Sequence, residues 1–136
     1  MRTPAKDVQG AGFFWERQMS KISVVEFLEA GLKAEALRQR AIANNVANLQ
    51  TPGYRRLDVK FEQLLAKAME SDGELDPDEL QAELYQPKNT AVKPDGNDVS
   101  LDVEVGELVK NSIRHKAFIR LLNKKYSQID QAINIR

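Results

Sequence analysis

The string ANNVANLQTPGY, residues 43–54, marks the point where a helix stops and the chain turns. Three asparagines fall within five residues, and asparagine side chains compete for backbone hydrogen bonds and tolerate left-handed φ. Pro52 then removes a backbone N–H, and Gly53 permits positive φ. The string therefore predicts a helix that ends near Asn48, followed by a turn at residues 51–53.

The sequence upstream predicts where this helix begins. Ser23 and Glu26 have the S-x-x-E spacing of a capping box, and Ile22 and Phe27 flank it as a hydrophobic staple. Strong helix formers follow, so we predict a first helix over about residues 23–48. Its apolar residues fall on one stripe: Val25, Leu28, Leu32, Ala36, Ala43 and Val46, with Ile42 and Leu49 beside it.

Residues 49–99 predict a loop-rich, polar middle. Asp58 is placed to cap a second, shorter helix that holds Phe61, Leu64, Leu65, Ala68 and Met69. Residues 70–79 are acidic and read as a solvated connector. Residues 80–85 fit a short helix and a strand equally well. Pro87, Pro94 and the Asp95-Gly96 pair then predict a loop with turn chemistry.

The last third predicts a long helix over about residues 101–134. Ser100 is placed to cap it, and Asp102 and Glu104 put negative charge in the first turn, where the helix dipole favours it. Such a helix is about 50 Å long at 1.5 Å per residue. Eight residues step by four and three, the spacing of a coiled-coil seam: Leu108, Ser112, His115, Ile119, Leu122, Tyr126, Ile129 and Ile133. Val105, Val109 and Ile113 widen the stripe at its N-terminal end.

Together these elements predict a mainly α fold. The long N-terminal and C-terminal helices pair as a coiled-coil-like hairpin, and the middle is loop-rich and partly extended or disordered. Residues 1–18 lack helical periodicity and predict a flexible extension ahead of a single domain at residues 19–136. On periodicity alone, a helical hairpin of unknown role is as good an interpretation as any particular function.

Composition and residue types exclude several classes of protein. Twenty Lys and Arg balance twenty Asp and Glu, which argues against a nucleic-acid binder. The chain has no Cys, and its single histidine, His115, lies on the helical seam, so we expect a packing role there and no catalytic, metal or cofactor site. No apolar run reaches the ~18 residues of a membrane span, and we expect no cleaved signal peptide. We therefore expect no enzyme activity and no small-molecule substrate.

Two stretches resemble the flagellar rod and hook axial protein family. The first is similar to that family's N-terminal signature at Asn44, Asn45, Val46, Asn48, Thr51, Pro52, Gly53 and Tyr54. The second, residues 94–104, resembles the segment that introduces the C-terminal helix of proximal rod proteins at Asp95, Gly96, Asn97, Val99, Leu101 and Asp102. Within the family, another short proximal rod protein is the nearest alternative.

The resemblance implies a structural subunit of the proximal rod, needed for flagellum assembly and swimming. It implies type III export without a cleaved signal, and a place in the rod within the periplasmic space. The implied partners are other rod proteins, copies of the chain itself, the membrane-embedded MS ring, the rod-base adaptor and the export apparatus. Polar residues in the helices, among them Glu35 and Gln39, suggest that the helix pair orders fully only on assembly. The rival hypothesis is a compact cytosolic helical adaptor or export chaperone.

Overall fold

The computed structural model describes residues 23–70 and 80–134. In chain order these hold α1 (Val24–Ala47), β1 (Asp58–Lys60), α2 (Glu62–Glu70), β2 (Glu83–Tyr85) and α3 (Leu101–Ile133). The predicted extension at residues 1–18 and most of the acidic connector lie outside the described residues. The mainly α class is confirmed, since the two long helices pack together and a short strand-and-loop segment connects them.

Helix α1 begins and ends where the sequence predicts. The Ser23 hydroxyl accepts from the backbone N–H of Glu26 at 3.1 Å, and the Glu26 carboxylate accepts from the backbone N–H of Ser23 at 2.8 Å, which is a complete capping box. At the other end, the backbone N–H of Asn48 donates to the carbonyls of Asn44 and Asn45, and the helix stops. Ile22, the first half of the predicted staple, lies outside the described residues.

The middle segment contains a two-stranded antiparallel sheet. Asp58 of β1 pairs with Tyr85 of β2, so Asp58 starts a strand and the prediction that it caps a helix was wrong. The second helix is present, but it begins only at Glu62, because Asp58–Lys60 are held extended by pairing with β2. Of the two alternatives left open for residues 80–85, the strand is therefore correct for Glu83–Tyr85.

A small apolar core lies where this sheet meets α1. Val59 and Phe61 are buried against Ala34 and Ala41 of α1. Half-buried hydrophobic side chains surround them: Phe27, Ala30, Leu37, Leu57 and Ala82. The core thus fixes the middle segment on one side of α1 and leaves another side of α1 to α3.

Helices α1 and α3 run antiparallel. Asn45 contacts Glu104 near the closed end of the hairpin, Glu35 contacts Asn111, and Phe27 meets Phe118 edge-to-face, with ring centroids 6.3 Å apart. Within the described residues, no helix is long and apolar enough to cross a membrane.

The face that α3 turns towards α1 lies beside the predicted seam. Glu104 and Asn111 are the buried residues of α3, seven positions apart, and half-buried Phe118 continues the same line. Of the eight seam residues, only His115 and Leu122 are half-buried; the other six are exposed. Within the chain, α1 therefore meets a mostly polar line of α3, and the apolar seam remains on the flank of the pair.

The predicted apolar stripe of α1 needs a similar correction. Leu28 and Ile42 are buried, but Ala36, Ala43 and Val46 are exposed. The positions that face the interior instead include Glu35, Arg38 and Asn45. The periodicity of apolar residues does not reveal this face, because several of its buried side chains are polar and have hydrogen-bond partners inside the protein.

Candidate functional site: a polar clasp at the closed end of the hairpin

Two glycine turns lie back to back at the closed end of the hairpin. Gly53 and Gly96 both have positive φ, at 71° and 83°. A Cβ on Gly96 would lie 3.3 Å from the Cα of Gly53, and the backbone N–H of Gly53 donates to the carbonyl of Asp95 at 2.8 Å. The turn after α1 and the turn before α3 are thus held in direct backbone contact.

Asn97 joins the same two turns through its side chain. Its Nδ2 donates to the carbonyls of Asn48 and Thr51, at 2.9 and 2.8 Å, and its Oδ1 accepts from the backbone N–H of Val99 at 2.7 Å. The carbonyls at the end of a helix lack helical partners, so this amide supplies donors that α1 cannot provide itself. Asn97 is completely buried.

Asn45 forms the centre of the site and uses its whole hydrogen-bonding capacity. Its Nδ2 donates to the carbonyl of Leu57 at 2.8 Å and to Oε2 of Glu104 at 3.0 Å. Its Oδ1 accepts from the backbone N–H of Leu57 at 2.8 Å and from the hydroxyl of Tyr54 at 3.2 Å. One side chain on α1 therefore binds both α3 and the segment that follows the first glycine turn.

Glu104 and Arg56 add a buried ion pair to this centre. Arg56 Nε lies 2.9 Å from Glu104 Oε1, and the Glu104 side chain is completely buried. Burial, then the negative charges of Glu104 and Asp98, raise the pKa of Tyr54, so its phenol stays a hydrogen-bond donor. A buried ion pair adds little net stability, but removing one partner leaves an uncompensated charge.

Asp98 ties the loop before α3 to the chain that leaves the first turn. Its carboxylate accepts from the backbone N–H of Arg56 and from the Thr90 hydroxyl, each at 2.6 Å, and Arg55 lies 3.2 Å away. Burial opposes ionisation, but the bonds from Thr90 and Arg56 and the charge of Arg55 outweigh it and hold the pKa of Asp98 below its ordinary value. We call the set Asn45, Tyr54, Arg56, Asn97, Asp98 and Glu104 the polar clasp.

A second polar layer lies further along the helix pair. Asn111 of α3 donates to the carbonyl and the carboxylate of Glu35, at 2.8 and 2.7 Å. Arg38 pairs with Glu35 and also reaches Glu62 of α2, at 2.8 Å. In the described part of the chain, no buried side-chain polar atom lacks a hydrogen-bond partner. The two layers therefore specify the register of α1 against α3, because a shifted register would leave several buried polar groups without hydrogen-bond partners.

The predicted family-motif residues differ in where the structure places them. Asn45, Tyr54, Gly53, Asn97 and Gly96 come together in the two turns and the clasp, while Asn48 and Asp95 support them through hydrogen bonds. Asn44, Val46, Pro52, Leu101 and Asp102 are exposed and lie outside the clasp. Thr51 is exposed as well, although its hydroxyl donates to Asn48 and its carbonyl accepts from Asn97. Val99 is completely buried beside Asn97.

Sequence reasoning assigned no part in holding the pair together to six charged or polar residues: Arg38, Arg56, Thr90, Asp98, Glu104 and Asn111. The signal that could have found some of them is spacing, because Glu104, Asn111 and Phe118 repeat every seven residues along α3. Polar residues at such a repeat are typical of positions that fix register between paired helices.

A known protein family matches the part of the chain that carries Asn45 and Tyr54 of the polar clasp. Residues 26–55, which are most of α1 and the turn that follows, match the family described as the Flagella basal body rod protein. Over these residues, which form the α1 side of the helix pair, the chain is similar to flagellar basal body rod proteins.

Three curated relatives specify the class further. Flagellar basal body rod protein FlgB of Cereibacter sphaeroides (strain ATCC 17023) is 31% identical over 121 residues, which is 77% of this chain and 93% of the relative. FlgB of Borreliella burgdorferi is 29% identical, with 82% and 93% covered, and FlgB of Bacillus subtilis (strain 168) is 27% identical, with 77% and 88% covered. The chain belongs to the FlgB family of flagellar basal body rod proteins.

Proposed function

We propose that the chain is a structural subunit of the proximal rod, and that the exposed seam of α3 packs against neighbouring rod subunits. The observation that supports this most directly is the burial pattern of α3. Its line of Glu104, Asn111 and Phe118 is taken by α1, while six seam residues on the flank stay exposed. An apolar stripe along so long a helix is costly to leave in water and is typical of an interaction surface.

The far half of α3 carries most of this surface. From Ile119 to the end of the helix, the described side chains are exposed apart from half-buried Leu122 and Lys125. Tyr126 and Ile129 are each 47% exposed, and Ile133 is 73% exposed. A helix with so few contacts gains little stability inside its own subunit, because helices in proteins are stabilised mainly by packing.

We infer that the two ends of the hairpin have different roles. The polar clasp sets the geometry of the closed end, while the far half of α3 becomes fully ordered only when neighbouring subunits cover the seam. Marginal order of this kind suits a chain that passes unfolded through the flagellar type III export channel and reaches the periplasmic rod without a cleaved signal peptide. It gains folding free energy on assembly, since a partner that binds only the folded form stabilises it.

The partners of this proposal are those of a proximal rod subunit. They are copies of the chain, other rod proteins, the membrane-embedded MS ring, the rod-base adaptor and the export apparatus. The family is a structural one, and the function requires no cofactor and no chemical reaction.

The test is a matched pair of substitutions on the far half of α3. Ile129→Asp places a charge on the seam, and Gln128→Asp places the same charge one residue away; both sites are exposed in the subunit. We expect both purified proteins to keep the helicity of the unmodified chain, and only Ile129→Asp to be missing from isolated basal bodies. A truncation after Phe118 should likewise be secreted but not incorporated. Incorporation of the truncated chain would contradict the proposed packing.

A further inference from the structure

Helix α3 has a second exposed apolar face, which points away from α1. Val105, Val109 and Ile113 lie on it, and these side chains are 51%, 55% and 64% exposed. They are four residues apart, so they form one ridge of the kind that packs into the grooves of another helix. On the helical wheel this ridge is nearly opposite the buried line of Glu104 and Asn111.

Neither the backbone conformation nor the packing of the described residues requires glycine at position 106. Gly106 lies within α3, where glycine is less favourable than alanine, yet its φ is ordinary and a Cβ built on it would meet nothing within 4 Å. Gly31 on α1 differs in this respect, because a Cβ there would meet the Phe118 ring. A glycine on an exposed apolar ridge lets the backbone of another helix approach closely.

The residues around Val109 are self-complementary when the helix is reversed. Asp102 lies seven residues before Val109 and Lys116 lies seven after it; Val105 and Ile113 lie four before and four after. Gly106 and Ser112, both small, lie three before and three after. A two-fold axis through Val109 therefore sets Asp102 against the partner's Lys116, and the Val105 side chain against the partner's Ile113.

The charges at the ends of this ridge are available for such a pairing. Asp102 and Lys116 are both exposed. Neither takes part in a salt bridge among the residues that the structure describes. A parallel arrangement in register would instead set Asp102 beside Asp102 and Lys116 beside Lys116, which is repulsive. The charge pattern thus favours an antiparallel partner of the same sequence.

We propose that the outward ridge of α3 (Asp102, Val105, Gly106, Val109, Ser112, Ile113 and Lys116) binds the same ridge of a second copy of the chain, antiparallel, with Val109 on the two-fold axis. The contact is a single helix crossing and falls short of the ~1,200 Å² that a stable complex buries. The dimer is therefore weak and forms as concentration rises. It is independent of the rod assignment, because the dimer is a property of the purified chain and Ser112 is the one ridge residue that also belongs to the seam.

Disulfide trapping tests the two-fold axis directly, because the chain has no Cys and a single introduced thiol is the only one present. Val109→Cys places two thiols on the axis, within disulfide reach if the helices cross there. Ser127→Cys is the control, since Ser127 lies on the same side of α3, about five turns away. We expect the Val109→Cys protein to form covalent dimers under mild oxidation at least about tenfold faster than the Ser127→Cys protein. Equal rates, or a Val109→Cys protein that stays monomeric at millimolar concentration, would overturn the proposal.

A charge swap in the Val109→Cys background tests the pairing of Asp102 with Lys116. Lys116→Glu sets like charges opposite each other and should slow trapping about tenfold, while adding Asp102→Lys should restore the original rate. Circular dichroism of each variant checks that α3 stays helical. Trapping that is unaffected by Lys116→Glu, or not restored by the double substitution, would show that the two copies do not meet in this register.

Discussion

Replacing Asn45 with Ala should destabilise the subunit far more than the same replacement at its exposed neighbour, Asn44. The Asn45 amide makes four hydrogen bonds, to the N–H and C=O of Leu57, to Tyr54 and to Glu104. Leu57 and Tyr54 are half-buried, so water can restore part of their bonding, but Glu104 is completely buried and keeps only Arg56. Each buried group left without a partner costs about 1–3 kcal/mol, so we expect a loss of about 2–4 kcal/mol.

The measurement is urea unfolding followed by far-UV circular dichroism, at neutral pH. Asn44→Ala is the matched control, because Asn44 is the same residue type one position earlier, is exposed and makes no side-chain hydrogen bond within the described residues. It should change the free energy of unfolding by less than about 0.5 kcal/mol. If Asn45→Ala costs no more than Asn44→Ala, the clasp does not hold the helix pair together. A loss of the predicted size would be a large part of the ~5–15 kcal/mol that stabilises a typical domain.

Two further predictions concern the turns and loops beside Asn45, and a third concerns the N-terminal extension. Gly96→Ala should lower the free energy of unfolding by about 1–2 kcal/mol, since φ is positive there and the new Cβ would press on the backbone of Gly53; a neutral result in urea unfolding would mean that the two turns are not in contact. Asp98→Asn should make the free energy of unfolding less sensitive to acid. Because the pKa of Asp98 is lowered in the folded chain, its carboxylate stabilises the fold above the ordinary pKa of about 3.9, and this stabilisation is lost as pH falls through the folded-state pKa. The free energies of unfolding of the variant and the unmodified chain should therefore converge below about pH 4, and a constant difference would refute this. Removing residues 1–18, so that the chain starts at Met19, should leave swimming unaffected, and non-motile cells with normal protein levels would place that segment in the assembly interface.

The helices could be predicted from sequence because their boundaries are set by local chemistry. The capping box at Ser23 and the turn at Gly53 fixed α1 to within one residue at each end, and the start of α3 at Leu101 was predicted correctly. Ser100 occupies the predicted N-cap position, although its side chain makes no capping hydrogen bond. Asp58 was assigned wrongly because a cap and a strand start look alike until the pairing partner, Tyr85, is known.

The packing face could not be predicted in the same way. Apolar periodicity on α3 identified the seam, but α1 packs against the polar line of α3 that lies beside the seam. That line is stable only because Glu104 meets both Asn45 and Arg56, and because Asn111 meets Glu35, across separations of 48 to 76 residues. Pairings of this kind are non-local, and a single sequence read by periodicity carries no direct signal for them.

The polar interior has a consequence for how the subunit is used. Its buried layers favour one register of α1 against α3, while the apolar surfaces that could drive association lie outside on the seam and the outward ridge. We therefore expect folding of the subunit and packing of the subunit to depend on different residues. Substitutions in the clasp should lower subunit stability, and substitutions such as Ile129→Asp should lower assembly alone.

Electron microscopy of cells that lack the gene is the most direct test of the proposed role in the rod. A structural subunit of the proximal rod is needed before any hook or filament forms. We therefore expect cells without either, restored to normal by the full chain and not by the chain truncated after Phe118. Cells that lack the gene and still carry hooks and filaments would show that the chain is not a required subunit of the proximal rod.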